Sequence, residues 1–212
     1  MLDVDNGEET VLAKGYLQVR SPTFTGDGAT VAYSAHNPDP NIYALLPNET
    51  EPRAIIASEA DEHSPALSPD GRWIAYASEE SGRPEVYVAR FPEGDGRRQV
   101  TANGGSDPLW SRDGRELFFM EDEPEGRSVM RAVQVSPRDT LQIGEVRTLF
   151  VVDDPSAPEY FNGSGNSGAA YDVSPDGERF LMIRQAHPPP ATEIIVVENW
   201  FEELKRLVPL PD

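Results

Sequence analysis

Ser164, Asp172 and His187 stand in the chain order that one class of serine hydrolase uses for nucleophile, acid and base. The stretch GSGNSG (163–168) supplies the right residue types around that serine. Its spacing is not Gly-x-Ser-x-Gly, and no strand-turn-helix pattern surrounds it, so a nucleophile elbow is not expected. Three histidines, His36, His63 and His187, lie in different segments without the His-x-x-x-His pairing of a helical metal site. DVDNGEE (3–9) has the composition of a calcium loop, but its glycine comes one residue too early and reads as an Asn-Gly turn. The absence of cysteine removes zinc-thiolate sites, disulfides and cysteine nucleophiles together. No glycine loop has the form that cradles phosphate. The sequence therefore predicts no catalytic residue, no metal and no cofactor.

Two places remain that could contact a partner or a small ligand. DEHSP (61–65) sets Asp61, Glu62 and His63 just ahead of an apolar strand, and Asp107 holds the same place one unit later. The segment DDPSAPEYFNGSGNSG (153–168) is a long Gly/Ser/Asn/Pro-rich loop carrying Tyr160, Phe161 and Asn162. Long loops on a rigid scaffold are where binding residues concentrate.

The elements that hold these residues follow from a repeat. The pairs Asp27-Gly28, Asp70-Gly71, Asp113-Gly114 and Asp176-Gly177 are spaced 43, 43 and 63 residues apart. Each lies in a four-residue turn, TGDG, SPDG, SRDG and SPDG, behind an apolar Phe24, Leu67, Trp110 or Val173. Four residues past each Asp stand Val31, Ile74, Leu117 and Phe180, and six past it Tyr33, Tyr76, Phe119 and Met182. The residues between them, Ala32, Ala75, Phe118 and Leu181, are apolar too. A period of two with both faces apolar describes a strand buried between layers. Asp-Gly suits a tight hairpin, because glycine accepts positive φ and aspartate bonds back to its own backbone.

Third strands are expected at 41–46, 85–91, 128–135 and 193–198, and fourth strands at 53–57, 97–101 and 146–152. Four short strands in each unit of roughly 40 to 45 residues is the pattern of a β-propeller blade. The expected fold is all-β, a β-propeller of four-stranded antiparallel blades, with about four blades in a partial or truncated ring. The expected division is a partial blade at 1–20, blades at 21–62, 63–106, 107–169 and 170–198, and a short C-terminal helix at 199–208. That helix, within NWFEELKRLVP, has an Asn199 cap, an apolar stripe and Pro209 at its end. Because the chain starts inside a blade and its last blade lacks a fourth strand, the expectation is a C-terminal piece of a longer protein. A closed four-bladed ring is the other way to complete it.

With 18 basic and 37 acidic residues the net charge is −19, which repels phosphate backbones and anionic headgroups. Nucleic acid is not an expected partner. No apolar run is long enough for a membrane helix, and the acidic N-terminus is not a signal peptide.

The segments PALSPDGRWIAYAS, EVYVARFP, RRQVT and PLWSRDGRELFFM resemble the repeat of TolB-like propellers, which are related to WD-type repeats. YDVSPDGERFLMIR and EIIVVENWFEELKRLVP resemble the last blade of propellers attached to bacterial transmembrane serine/threonine kinases of the eukaryote-like type. The resemblance implies a sensor or protein-interaction propeller on the extracytoplasmic side of the membrane. It brings no kinase activity to these residues, since the Gly-rich loop, His-Arg-Asp and Asp-Phe-Gly motifs are missing from the chain. The other reading is the propeller of, or gate for, a serine peptidase encoded elsewhere.

Overall fold

The structure, a computed structural model, describes residues 15–16, 18–36, 40–123, 127–137, 141–152 and 171–182. These form three four-stranded antiparallel sheets and one two-stranded sheet, each with its strands in chain order. The first holds β1 (Gln18–Phe24), β2 (Val31–His36), β3 (Pro40–Leu45) and β4 (Arg53–Ile56). The second holds β5 (Glu62–Leu67), β6 (Trp73–Ser78), β7 (Glu85–Arg90) and β8 (Arg98–Gln99). The third holds β9 (Ser106–Trp110), β10 (Glu116–Asp122), β11 (Ser128–Pro137) and β12 (Leu141–Val152). The pair β13 (Tyr171–Val173) and β14 (Phe180–Met182) repeats the first hairpin of each blade. The described residues are thus all-β, built as propeller blades. The expected C-terminal helix, the strand at 193–198, residues 1–14 of the partial blade expected at 1–20 and the loop 153–168 lie outside the described residues.

The alternation read from the second strand of each blade becomes the packing between blades. Ile74 and Tyr76 join Tyr87 against Ala32, Ile42, Ala44 and Ile56 of the preceding blade. On the other face of the same sheet, Trp73, Ala75, Val86 and Val88 meet Trp110, Leu117 and Phe119 of the following blade. Phe118, Met130 and Ala132 turn toward Tyr171 and Phe180 of the fourth unit. Every residue of β6 is buried because the strand is covered on both sides. Large residues share the first two joints with small ones, Tyr76 with Ala32 and Phe119 with Ala75, which lets the sheets interdigitate. Leu181, on the face that packs forward in the other units, is 73% exposed.

The hairpins are one bonding pattern repeated four times. In the second unit the Ser68 amide donates to the Trp73 carbonyl and the Gly71 amide to the Ser68 carbonyl, both at 2.9 Å. The Ser68 hydroxyl donates to Asp70 Oδ1 at 2.7 Å and accepts from the Trp73 amide at 3.0 Å. Thr25/Asp27, Ser111/Asp113 and Ser174/Asp176 form the same cage. The carboxyls of Asp27, Asp113 and Asp176 are held below the usual aspartate range first by the Thr or Ser hydroxyl and then by a backbone amide. At Asp70 burial pulls the other way, and Ser68 with Arg72 outweighs it. The turns also abut one another: a Cβ on Gly26 would lie 2.8 Å from the Pro69 carbonyl oxygen of the next hairpin.

Replacing Ser68 with alanine leaves the Trp73 amide and the Asp70 carboxylate each short of a partner. We expect a loss of about 1–3 kcal/mol at neutral pH. A depressed carboxyl stabilises the fold above its unfolded value and ceases to do so as pH falls through its folded value. The gap between wild type and Ser68→Ala should therefore narrow below about pH 4. Urea melts of both proteins between pH 7 and pH 3 measure it, and a constant gap removes Asp70 from the account.

Three boundaries differ from the sequence expectation. The inner strands β1, β5 and β9 start ahead of their prolines, so the expected blade starts at 21, 63 and 107 fall inside them. Those leading residues, Val19 apart, are polar and carry no apolar period. They pair because a bulge follows, with register breaks at Arg20/Thr23, His63/Ala66 and Phe118/Met120. The bulge residues Ser21, Ser64 and Asp107 have φ of 49°, 50° and 50°, an uncommon region for a non-glycine residue. β12 begins at Leu141 rather than 146, because Gly144 and Glu145 interrupt its apolar run. β8 is only two residues long.

Candidate binding mouth of the propeller

Neighbouring sheets meet through their first strands, β1 against β5 and β5 against β9. The starts of these strands, together with the connection 57–61 and the turn 79–84, share one end of the blades; the Asp-Gly hairpins occupy the other. Asp61, Glu62, His63 and Asp107 are all at the first end. Glu62 and His63 belong to β5 itself rather than to a loop ahead of it.

The structure separates these four residues by depth. Asp61 is exposed, and its carbonyl accepts from the Glu79 amide at 3.0 Å. His63 is half-buried; burial lowers its pKa against the opposing pull of Asp107, Glu79 and Asp61, which keeps the ring neutral at neutral pH. Glu62 and Asp107 are buried. Glu62 accepts from the Ser58 hydroxyl at 2.6 Å, while its Oε2 has no hydrogen-bond partner among the described residues. Burial raises its pKa, against the opposing pull of Ser58 and Arg97. Tyr160, Phe161 and Asn162 lie outside the described residues, as do Ser164 and His187.

A buried relay ties three units together beneath the mouth. Ser64 donates to Asp107 Oδ1 at 2.8 Å across the joint between blades. His63 Nδ1 lies 3.2 Å from the Ser64 hydroxyl oxygen and donates to it, given that the hydroxyl proton is committed to Asp107. Tyr171 of the fourth unit donates to the Asp107 carbonyl at 2.8 Å, and its phenol, raised in pKa by burial, stays protonated. Serine, histidine and aspartate thus come together, but the serine sits between the other two. A hydrolase triad needs histidine in the middle, to accept from the serine and be oriented by the acid. This arrangement is a structural clamp that positions the half-buried His63 ring at the mouth.

The TolB beta propeller domain family model, PD40, matches residues 1–159. The chain belongs to this family. An uncharacterised Agrobacterium fabrum protein, Atu1656, is 27% identical over 152 residues, 68% of this chain and 47% of that one. The Tol-Pal system protein TolB of Methylococcus capsulatus is 36% identical over 80 residues, 38% of this chain and 17% of that one. The crystal structure of TolB from Acinetobacter baumannii superposes with a TM-score of 0.63 at 20% identity, covering 84% of this chain and 41% of that one. This TolB-type chain spans less than half the length of each.

Sequence reasoning did not single out Ser64, Ser58 or Glu85. Glu85 is a second buried carboxylate near this end of the second blade, satisfied by Arg83 at 2.8 Å, the Thr101 hydroxyl and the Gly104 amide at 3.1 Å. The signal for Ser64 was present, since Ser21, Ser64 and Asp107 each precede a proline at the same repeat position. Clefts of about 890 Å³ and about 520 Å³ open on the hairpin end, beside Asp113/Asp176 and Asp27/Asp70 respectively. Among the described residues no three metal-ligating side chains converge, and no helix is long and apolar enough to cross a membrane.

Proposed function

We propose that this TolB-type propeller is a non-catalytic protein-binding module of a larger bacterial signalling protein. The observation that carries the proposal is the mouth itself. Half-buried His63 stands on β5, with exposed Asp61 just ahead of it, and β5 is tied to the next two units through Ser64, Asp107 and Tyr171. A rigid base of this kind presents contact groups at little entropic cost, which favours binding. The acidity of the chain favours a partner whose contact surface is basic, by charge complementarity. The resemblance of residues 171–184 and 193–209 to kinase-attached propellers supports a transmembrane serine/threonine kinase as the parent, with the propeller outside the cytoplasm.

Asp61→Arg combined with His63→Ala tests the mouth. Recovery of the partner from an extract of the source bacterium should fall roughly tenfold relative to the intact chain, the scale of about 1.4 kcal/mol. Equal recovery overturns the assignment. The coding sequence upstream tests the parent: a kinase domain followed by a membrane helix supports it, and a hydrolase domain sinks it.

A further inference from the structure

The outer strands of the three complete blades are not alike. β4 has four residues and opens on Arg53; β8 has only Arg98 and Gln99. β12 has twelve residues and, among the described residues, is bonded only to β11. At about 3.3 Å per residue it runs roughly 40 Å, with its register against β11 shifting between Ile143 and Val146 and between Thr148 and Phe150. Its middle, from Gly144 to Thr148, is exposed, with Val146 at 42% and Val151 at 41%. Unpaired amides and carbonyls on such an edge are a template for another strand, and native sheets blunt them by shortness or charge, as β4 and β8 do.

The charges on β12 have a different arrangement. Glu145 and Arg147 flank Val146 symmetrically. Glu145 has no ion pair among the described residues, while Arg147 is held half-exposed by Glu116 at 2.6 Å. Two β12 strands laid antiparallel about a two-fold axis through Val146 set Val146 against Val146 of the second copy. Glu145 of each then lies opposite Arg147 of the other, giving two opposite-charge cross-strand pairs. Moving the axis to Glu145 or to Arg147 sets like charges against each other, so the charges select the register.

We propose that two copies of this chain associate edge to edge through β12, antiparallel and centred on Val146. The surface is distinct from the mouth and leaves it open. Sedimentation of the full chain over a range of concentrations should show a monomer–dimer equilibrium. Glu145→Arg alone and Arg147→Glu alone each turn both attractive pairs into repulsive ones and should weaken the dimer roughly tenfold. An equimolar mixture of the two variants should associate again, because every altered charge then meets its opposite. Val146→Lys, which brings two ammonium groups together on the axis, should also leave monomers. A chain that stays monomeric at every concentration overturns the proposal and leaves the edge to a segment of another protein. Variants that dimerise as the wild type does, or a mixture that does not recover, overturn it as well.

Discussion

Tyr76→Ala should destabilise the fold by roughly 3 to 5 kcal/mol, the range for truncating a buried aromatic side chain. Tyr76 is fully buried in β6, stacked on Tyr87 at 5.8 Å, in the joint between the first and second blades. The preceding blade presents Ala32 and Ala44 there, and small side chains cannot close the cavity that truncation leaves. Tyr76→Phe is the informative companion. Among the described residues the phenol oxygen has no hydrogen bond of good geometry; burial raises its pKa, and Arg97 beside it opposes this. Removing an unsatisfied hydroxyl while keeping the ring should change stability by less than about 1 kcal/mol, in either direction. Equilibrium urea unfolding of both variants provides the test. A small loss for alanine means the ring is not core, and a large loss for phenylalanine means the hydroxyl has a partner.

Gly94→Ala is the second large effect. Gly94 follows β7 with φ of 74° and donates its amide to the Arg90 carbonyl at 2.8 Å. An added Cβ would lie 2.2 Å from the Ile55 carbonyl oxygen in β4 of the preceding blade. Backbone cannot rotate away as a side chain would, so the outer joint between the two blades must open. Together with about 1–2 kcal/mol for the left-handed conformation, the cost should reach roughly 3 kcal/mol or more. Gly82 separates the two contributions, because its φ is 86° and nothing lies within 4 Å of its added Cβ. Gly82→Ala should show the conformational cost alone. If the two alanine variants melt together, the contact between Gly94 and Ile55 is not tight.

The mouth illustrates why some residues could be read from the chain and others could not. Asp61, Glu62 and His63 look equivalent as a charged cluster, yet Asp61 is exposed, His63 half-buried and Glu62 fully covered. Their depths depend on Ser58, the turn 79–84 and the neighbouring blade. The Ser64–Asp107 bond joins residues 43 positions apart, and no local spacing distinguishes a bonded pair from two solvated groups. The bulges were hidden for a related reason: a positive-φ residue ahead of proline leaves no mark in an apolar period, so polar strand starts resembled loop.

The sequence by itself determined the repeat, the Asp-Gly hairpins and the apolar character of both faces of the second strands. These are local properties: a turn is chosen by the conformations its own residues accept, and a strand's faces by a period of two. Only the tertiary structure decided that Glu62, Glu85 and Asp107 are buried, that Ser64 clamps two blades, and that β12 is a long outer strand while β8 has two residues. Those outcomes depend on what an adjacent blade supplies as hydrogen-bond partner, cover or vacancy. That supply comes from residues a full repeat away, beyond the reach of any local pattern.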